Sequence, residues 1–248
     1  MRATNRLYLQ NDHAFEAEAT VLAVQQRSMA FDQTCFYPGG GGQPSDEGSA
    51  ALGNGMTLEI VSAHAGSDDV VWHTSTSPPP PEIVGQPATL MVNRAKRIAF
   101  ARYHTVLHVL NTIVLRNYGG WITGAQIATD YSRIDFKLDK FSAAVCRELE
   151  QKVNAVLEEH HEVRSYYVNE DEFRRRTDLL RTLEAKPPVR DGHVRIVEIQ
   201  GFDAQACGGT HVGTTTDVGR FSIVRTENKG KINKRLYVRL EPPALGDG

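Results

Sequence analysis

From the N-terminus to about residue 92, polar and apolar positions alternate in short runs separated by turn formers. Ala19–Val24 (ATVLAV), Ala30–Tyr37 (AFDQTCFY), Thr57–Ala63 (TLEIVSA), Asp69–Thr74 (DVVWHT) and Ala88–Asn93 (ATLMVN) are rich in β-branched or aromatic residues, the composition of strands. His64–Asp68 (HAGSD) reads as a hairpin loop. Ser77–Glu82 (SPPPPE) reads as an exposed connection, because proline cannot donate to a sheet ladder. Strands at this spacing predict a small β-barrel or sandwich over residues 1–92. The period changes near Asn93. Ile98, Ala101, Val106, Leu107, Leu110, Ile113 and Val114 follow a helical spacing that Gly119-Gly120 ends. Arg133–Leu138 alternates as a strand, and Phe141–Glu159 is a second amphipathic helix. A short third helix starts with Asn169 as cap and Glu172 as its box partner. Val194–Ile199, Gly219–Glu227 and Arg235–Leu240 are further strands. Residues 93–248 are therefore expected to form an α+β domain with a mainly antiparallel sheet.

Composition adds exclusions. The chain has 248 residues, 40% of them hydrophobic, and a net charge of -2, so any nucleic-acid surface must be local. No apolar run approaches the roughly 20 residues that span a bilayer, and the polar N-terminal stretch lacks a signal-peptide core. Cys35, Cys146 and Cys207 cannot all pair with one another, which sets the expectation of free thiols in a reducing cytoplasm.

Two short motifs carry chemistry. In HTVLH, His104 and His108 stand four residues apart, on one face of a helix and one turn apart. In ACGGTHV, the Gly-Gly-Thr between Cys207 and His211 lets the backbone curl so that thiolate and imidazole converge. Three histidines and one cysteine suit zinc, held at about 2.0–2.3 Å. One pair on a long helix and the other on a glycine-rich loop fit a cleft better than a Cys-rich structural knuckle. A metallopeptidase is excluded, since Thr105 follows His104 and no acid stands between the histidines.

Together, HTVLH, FDAQACGGTHV (Phe202–Val212), FYPGGGGQPSDEG (Phe36–Gly48) and ITGAQIATDYSRIDF (Ile122–Phe136) resemble the editing domain of alanyl-tRNA synthetase. FYPGGGGQPSDEG and ITGAQIATDYSRIDF bring the resemblance closer to its free-standing relatives, the AlaX trans-editing proteins, in the longer form with an N-terminal barrel. The motifs run in order from about Thr34 to Arg235. The resemblance implies one zinc ion held by His104, His108, Cys207 and His211. It also implies hydrolysis of mischarged tRNA(Ala) at its 3′ end, chiefly seryl-tRNA(Ala) with glycyl-tRNA(Ala) as second candidate. Gly39 and Cys35 depart from the residues expected beside the triple glycine. Gln126 and Asp130 are candidate polar groups for positioning a hydrolytic water, with Asp203 and Gln205 as others. Thr34 is a candidate partner for the serine hydroxyl, since a site built around that group rejects alanine.

The four glycines Gly39–Gly42 lack the ending of a Walker loop. They are read as letting backbone pass close to another surface, with Gly40, Gly41, Gly42 and Gln43 as a wall or lid at the editing cleft. For tRNA, Arg225–Arg239 is a cationic hairpin in which Lys229, Lys231, Lys234 and Arg235 face phosphates. Arg94, Lys96 and Arg97 add to that charge. The competing readings are editing of another tRNA, since the threonyl enzyme has similar elements, and a zinc-stabilised RNA-binding module without catalysis.

Overall fold

The computed structural model describes residues 2–138, 142–181, 187, 189–230 and 232–243. They form two compact units, Met1–Ile98 and Ala99–Gly248. The division falls inside the first turns of the long helix, beyond the boundary at residue 92 that composition suggests.

In the first unit the strands are β1 (Asn5–Arg6), β2 (Glu16–Gln25), β3 (Ser28–Phe31), β4 (Gln33–Thr34), β5 (Gly48–Leu52), β6 (Thr57–Ala65), β7 (Val71–Ser75) and β8 (Pro87–Val92). β1 and β4 make a short parallel pair. The other six close into a barrel in the order β2-β3-β7-β6-β5-β8, every neighbour antiparallel, so none of the six offers an unpaired edge. Alternation puts Val21, Phe31, Leu58, Ile60, Val71 and Leu90 inside. The strand expected over Ala30–Tyr37 breaks at Asp32 and stops at Thr34. There the Phe36 N–H donates to Thr34 Oγ1 at 3.0 Å and the Tyr37 N–H to Asp46 Oδ2 at 2.6 Å, side-chain bonds that displace a ladder. Sequence pattern misses β5, GSAAL, because its residues are small rather than β-branched. Gly48 is required there: a Cβ would lie 2.0 Å from the Met91 carbonyl oxygen of β8.

His73 sits inside this barrel, fully buried and edge-on to Phe31 and Phe36. Its Nδ1 lies 3.3 Å from the Met29 carbonyl and must donate to it. Nε2 is therefore the acceptor, and takes the Thr34 hydroxyl at 2.8 Å. Burial lowers the His73 pKa from 6.5 to about 4. The unfolded chain thus binds more protons in that window, and stability falls as pH drops from 6.5 towards 4, levelling off below. A depression of this size is worth about 3 kcal/mol. A His73→Gln protein is expected to lose that share of its acid sensitivity when denaturant midpoints are compared at pH 7.5 and pH 4.5; an unchanged pH slope would show that His73 does not carry it.

The second unit holds most of α1 (Arg94–Tyr118), then β9 (Trp121–Ile127), β10 (Ser132–Lys137), α2 (Ala143–Glu158), β11 (Val163–Asn169), α3 (Glu170–Arg175), β12 (Val189–Arg190), β13 (His193–Ile199), β14 (Asp203–Ala206), β15 (Arg220–Asn228) and β16 (Asn233–Glu241). One antiparallel sheet runs β15-β16-β10-β9, and in the other β13 pairs with β11, β12 and β14. The α2 cap is Ser142, whose side chain accepts from the Val145 N–H; Phe141, where sequence places the helix start, lies outside the described residues. Asn169 caps α3 by accepting from the Glu172 N–H at 2.7 Å. By length and composition α1 is long and apolar enough to cross a bilayer, but 78% of its most apolar stretch is buried inside the protein. Val106, Leu107, Leu110, Ile134, Leu149 and Leu236 are part of the core it enters.

Candidate metal centre

His104 and His108 project from one face of α1, their rings 5.1 Å apart between centroids. β14 ends at Ala206, and the chain turns through Cys207 to bring His211 back against them, at 4.4 Å from the His104 ring and 4.5 Å from that of His108. The four donor atoms all lie within 4.8 Å of one another. Cys207 Sγ is 3.4 Å from both His104 Nε2 and His211 Nε2.

The turn is clamped from β13. The Arg195 side chain, almost fully buried, donates from Nη1 to the Cys207 carbonyl at 3.2 Å and the Gly209 carbonyl at 2.8 Å. Its own carbonyl accepts from the Cys207 N–H at 3.1 Å. The Gly209 N–H points at Cys207 Sγ, 3.4 Å away, a contact that favours thiolate. Thr105 sets the His211 tautomer. Its hydroxyl donates to the Ala101 carbonyl at 2.9 Å, so its oxygen must accept from His211 Nδ1 at 3.1 Å and from the Val212 N–H at 3.3 Å. The lone pair of His211 is then on Nε2, facing Cys207. Sequence motifs miss Thr105 and Arg195. The only local trace of either is a threonine inside HTVLH and a charge inside the apolar strand VRIVEI.

Burial lowers the His104 pKa to about 3 and drives those of His108 and His211 well below 6.5, neighbouring histidines adding to it for both. The imidazoles are neutral at neutral pH, with lone pairs available without competition from protons. His108 Nδ1 is buried with no hydrogen-bond partner. Three neutral imidazoles, one cysteine and a ring nitrogen without a partner fit a tightly held divalent ion of the zinc kind.

None of the other predicted site residues is among these four donors. Gln126 is exposed on β9 and its carboxamide oxygen accepts from Arg133 Nε at 2.8 Å. Asp130 is exposed in the turn between β9 and β10. Gln205 is buried on β14, two residues before Cys207, and the side chain of Asp203, four residues before it, is buried too. Thr34 is fully buried in the first unit, its hydroxyl bonded to His73 and Phe36. Gly39–Gly42 all have positive φ (83°, 134°, 57° and 87°), a run that L side chains resist. Gly40 and Gly41 are exposed at a tight turn closed by Gly40 and Gln43, and Gln43 is buried.

The cationic surface is smaller than the sequence suggests. Arg235 makes two 2.7 Å bonds to Asp135, which neutralise it, and Lys234 is buried with Nζ on the Gly230 carbonyl. Strand alternation turns Lys234 inward with Leu236 and Val238. Lys229 keeps a long 3.7 Å pairing with Glu227. Lys231 lies outside the described residues. Arg97 is buried against Asp46 rather than facing solvent, and Lys96 pairs with Glu47.

A family model described as the threonyl and alanyl tRNA synthetase second additional domain matches residues 194–237, the stretch that carries Cys207 and His211. An alanine--tRNA ligase of Thermofilum pendens is 34% identical over 98% of this chain but only 27% of its own length. The region with the Cys207 half-site is thus of the class found as an added domain in these synthetases. Relatives of this chain's own length are also found. The alanyl-tRNA editing protein AlaX-M of Methanosarcina mazei is 34% identical over 98% of this chain and 99% of its own, and that of Saccharolobus solfataricus is 28% identical over 96% and 100%. The chain belongs to the AlaX-M family of alanyl-tRNA editing proteins.

Proposed function

We propose that this chain is a trans-editing hydrolase that removes wrongly attached amino acids from the 3′ end of tRNA(Ala), chiefly serine, with glycine second. The observation that carries the reading is the convergence of His104, His108, Cys207 and His211 in a chain collinear with AlaX-M proteins over nearly its whole length. One zinc ion is the cofactor these donors suit, and when bound it would supply Lewis-acid polarisation of an ester carbonyl or of water. The chain's own residues do the rest. Arg195 holds the Cys207–His211 turn closed, and Thr105 keeps the His211 Nε2 lone pair facing inward. The aminoacyl ester is already reactive, so a positioned water suffices and no acyl-enzyme is invoked. On the β15–β16 hairpin, Arg220, Arg225, Lys229 and Arg239 are the exposed cations available to meet phosphate.

The test is deacylation of tRNA(Ala) charged separately with serine, glycine and alanine, with and without a zinc chelator. The expected order is serine, then glycine, with alanine spared, and chelation suppresses all hydrolysis. Binding of tRNA without hydrolysis of any ester would replace this reading by a zinc-stabilised binding module. In the same assay Thr34→Val removes the hydroxyl while keeping its shape. A folded variant that still separates seryl from alanyl esters would take Thr34 out of specificity and leave it its place beside His73.

A further inference from the structure

A chain of side-chain bonds runs towards the metal centre with its direction fixed at every link. The Asp203 side chain is 3% exposed, and its oxygens accept from both Arg181 and Arg116. The Gln205 amide therefore presents Nε2 to it, at 2.9 Å. That leaves Gln205 Oε1 as acceptor for Asn111 Nδ2, at 3.2 Å. Asn111, fully buried, must then turn its carboxamide oxygen away from Gln205, and this oxygen is buried with no hydrogen-bond partner. A buried acceptor left alone is destabilising.

Helix and strand spacing point to a donor, though the two atoms are not bonded to each other in this structure. Asn111 is three residues after His108 on α1, on the same helix face, and a helical side chain covers the turn before its own Cα. Gln205 is two residues before Cys207 on the same side of its strand. The Asn111–Gln205 contact is therefore the next rung along from His108 and Cys207, whose donor atoms belong to one cluster. His108 Nδ1 is buried and also without a partner. One orphan accepts; the other donates whenever its ring binds through Nε2, because the single proton of a neutral imidazole is then on Nδ1.

We propose that Asn111 is a positioning residue for the metal centre: in the metal-loaded protein its carboxamide oxygen takes the Nδ1 proton of His108, fixing Nε2 as the ligand atom. This rests on the metal-centre reading above. Asn111 then does for His108 what Thr105 does for His211, and Arg181, Asp203 and Gln205 hold Asn111 in the required orientation. Partners of this kind raise ligand basicity and lock the ring, and losing one typically weakens metal binding by about 10–100-fold.

The experiment is competition between full-length protein and a chromophoric chelator for Zn2+. Asn111→Leu is expected to bind zinc about 10–100-fold more weakly than wild type, and Gln205→Met, which frees Asn111 to rotate, to show a smaller loss. Long-range 1H–15N spectra of the zinc-loaded wild type should show His108 protonated on Nδ1 with slow exchange, and this signal should shift and exchange faster in Asn111→Leu. If Asn111→Leu misfolds, the His108 tautomer in wild type and the affinity of Gln205→Met still decide the matter. Folded variants with wild-type zinc affinity, or a His108 bound through Nδ1, overturn the assignment. A wild-type protein that takes up no zinc would instead remove the metal-centre reading on which it rests.

Discussion

His104→Ala is expected to lower seryl-tRNA(Ala) hydrolysis by more than about 100-fold while leaving the protein folded, because losing a ligand exceeds the about 10–100-fold typical of losing a ligand's partner. The residue is buried among His108, His211 and Cys207, so its loss opens a polar gap that no other described donor of this cluster fills. The core that closes the site, with Val106, Leu107 and Leu110 on the same helix, is untouched. Zinc content and deacylation rate measured on one preparation should fall together. Full activity in a folded His104→Ala protein would rule out a role for the metal.

The second large effect is on stability. Arg97 and Asp46 are each 1% exposed. Arg97 Nε reaches both Asp46 oxygens at 2.9 Å, Nη2 the Cys35 carbonyl at 2.6 Å, and Nη1 the Asp12 carbonyl at 3.1 Å. Asp46 also accepts from the Tyr37 N–H. The pair thus ties the start of α1 to both ends of the glycine turn. Arg97→Met leaves Asp46 buried without its counter-charge, and breaking such a pair costs about 3–5 kcal/mol. Thermal unfolding should begin roughly 10 °C lower. Adding Asp46→Leu should recover part of the loss, since an apolar pair can replace a buried ionic one. A single variant as stable as wild type would show that the pair is not what holds this turn.

The difference between Arg97 and His104 shows what a sequence reveals. The candidate metal ligands announce themselves because convergence on one ion demands local spacing: one helical turn for His104 and His108, a glycine-rich curl for Cys207 and His211. Arg97 finds its partner 51 residues away, and in NRAKR nothing separates it from solvated neighbours. Arg235 is hidden in the same way, with Asp135 100 residues off in sequence. Long helices are legible from their period, as are strands of alternating bulky residues. β5 (GSAAL), β9 (WITGAQI) and β14 (DAQA) are not: glycine, alanine and polar residues give no period, and pairing with neighbours alone makes them strands. The Asn111–Gln205–Asp203 chain is equally silent, since each link depends on side chains brought together by the fold.

His104 and Cys207 are 103 residues apart, and that separation decides when an ion can enter. In a zinc knuckle a few residues separate the ligands, and the ion can gather them from an unfolded chain. Here closing so long a loop costs about 4 kcal/mol in chain entropy alone, and the apolar core does the closing. Thr105 and Arg195 then hold the receptor turn by contacts that involve no ion. On the function proposed above, newly made chains would mature in a set order, folding first and metallation last, so scarcity of the ion would leave a pool of folded, idle molecules that can be activated at once when it returns.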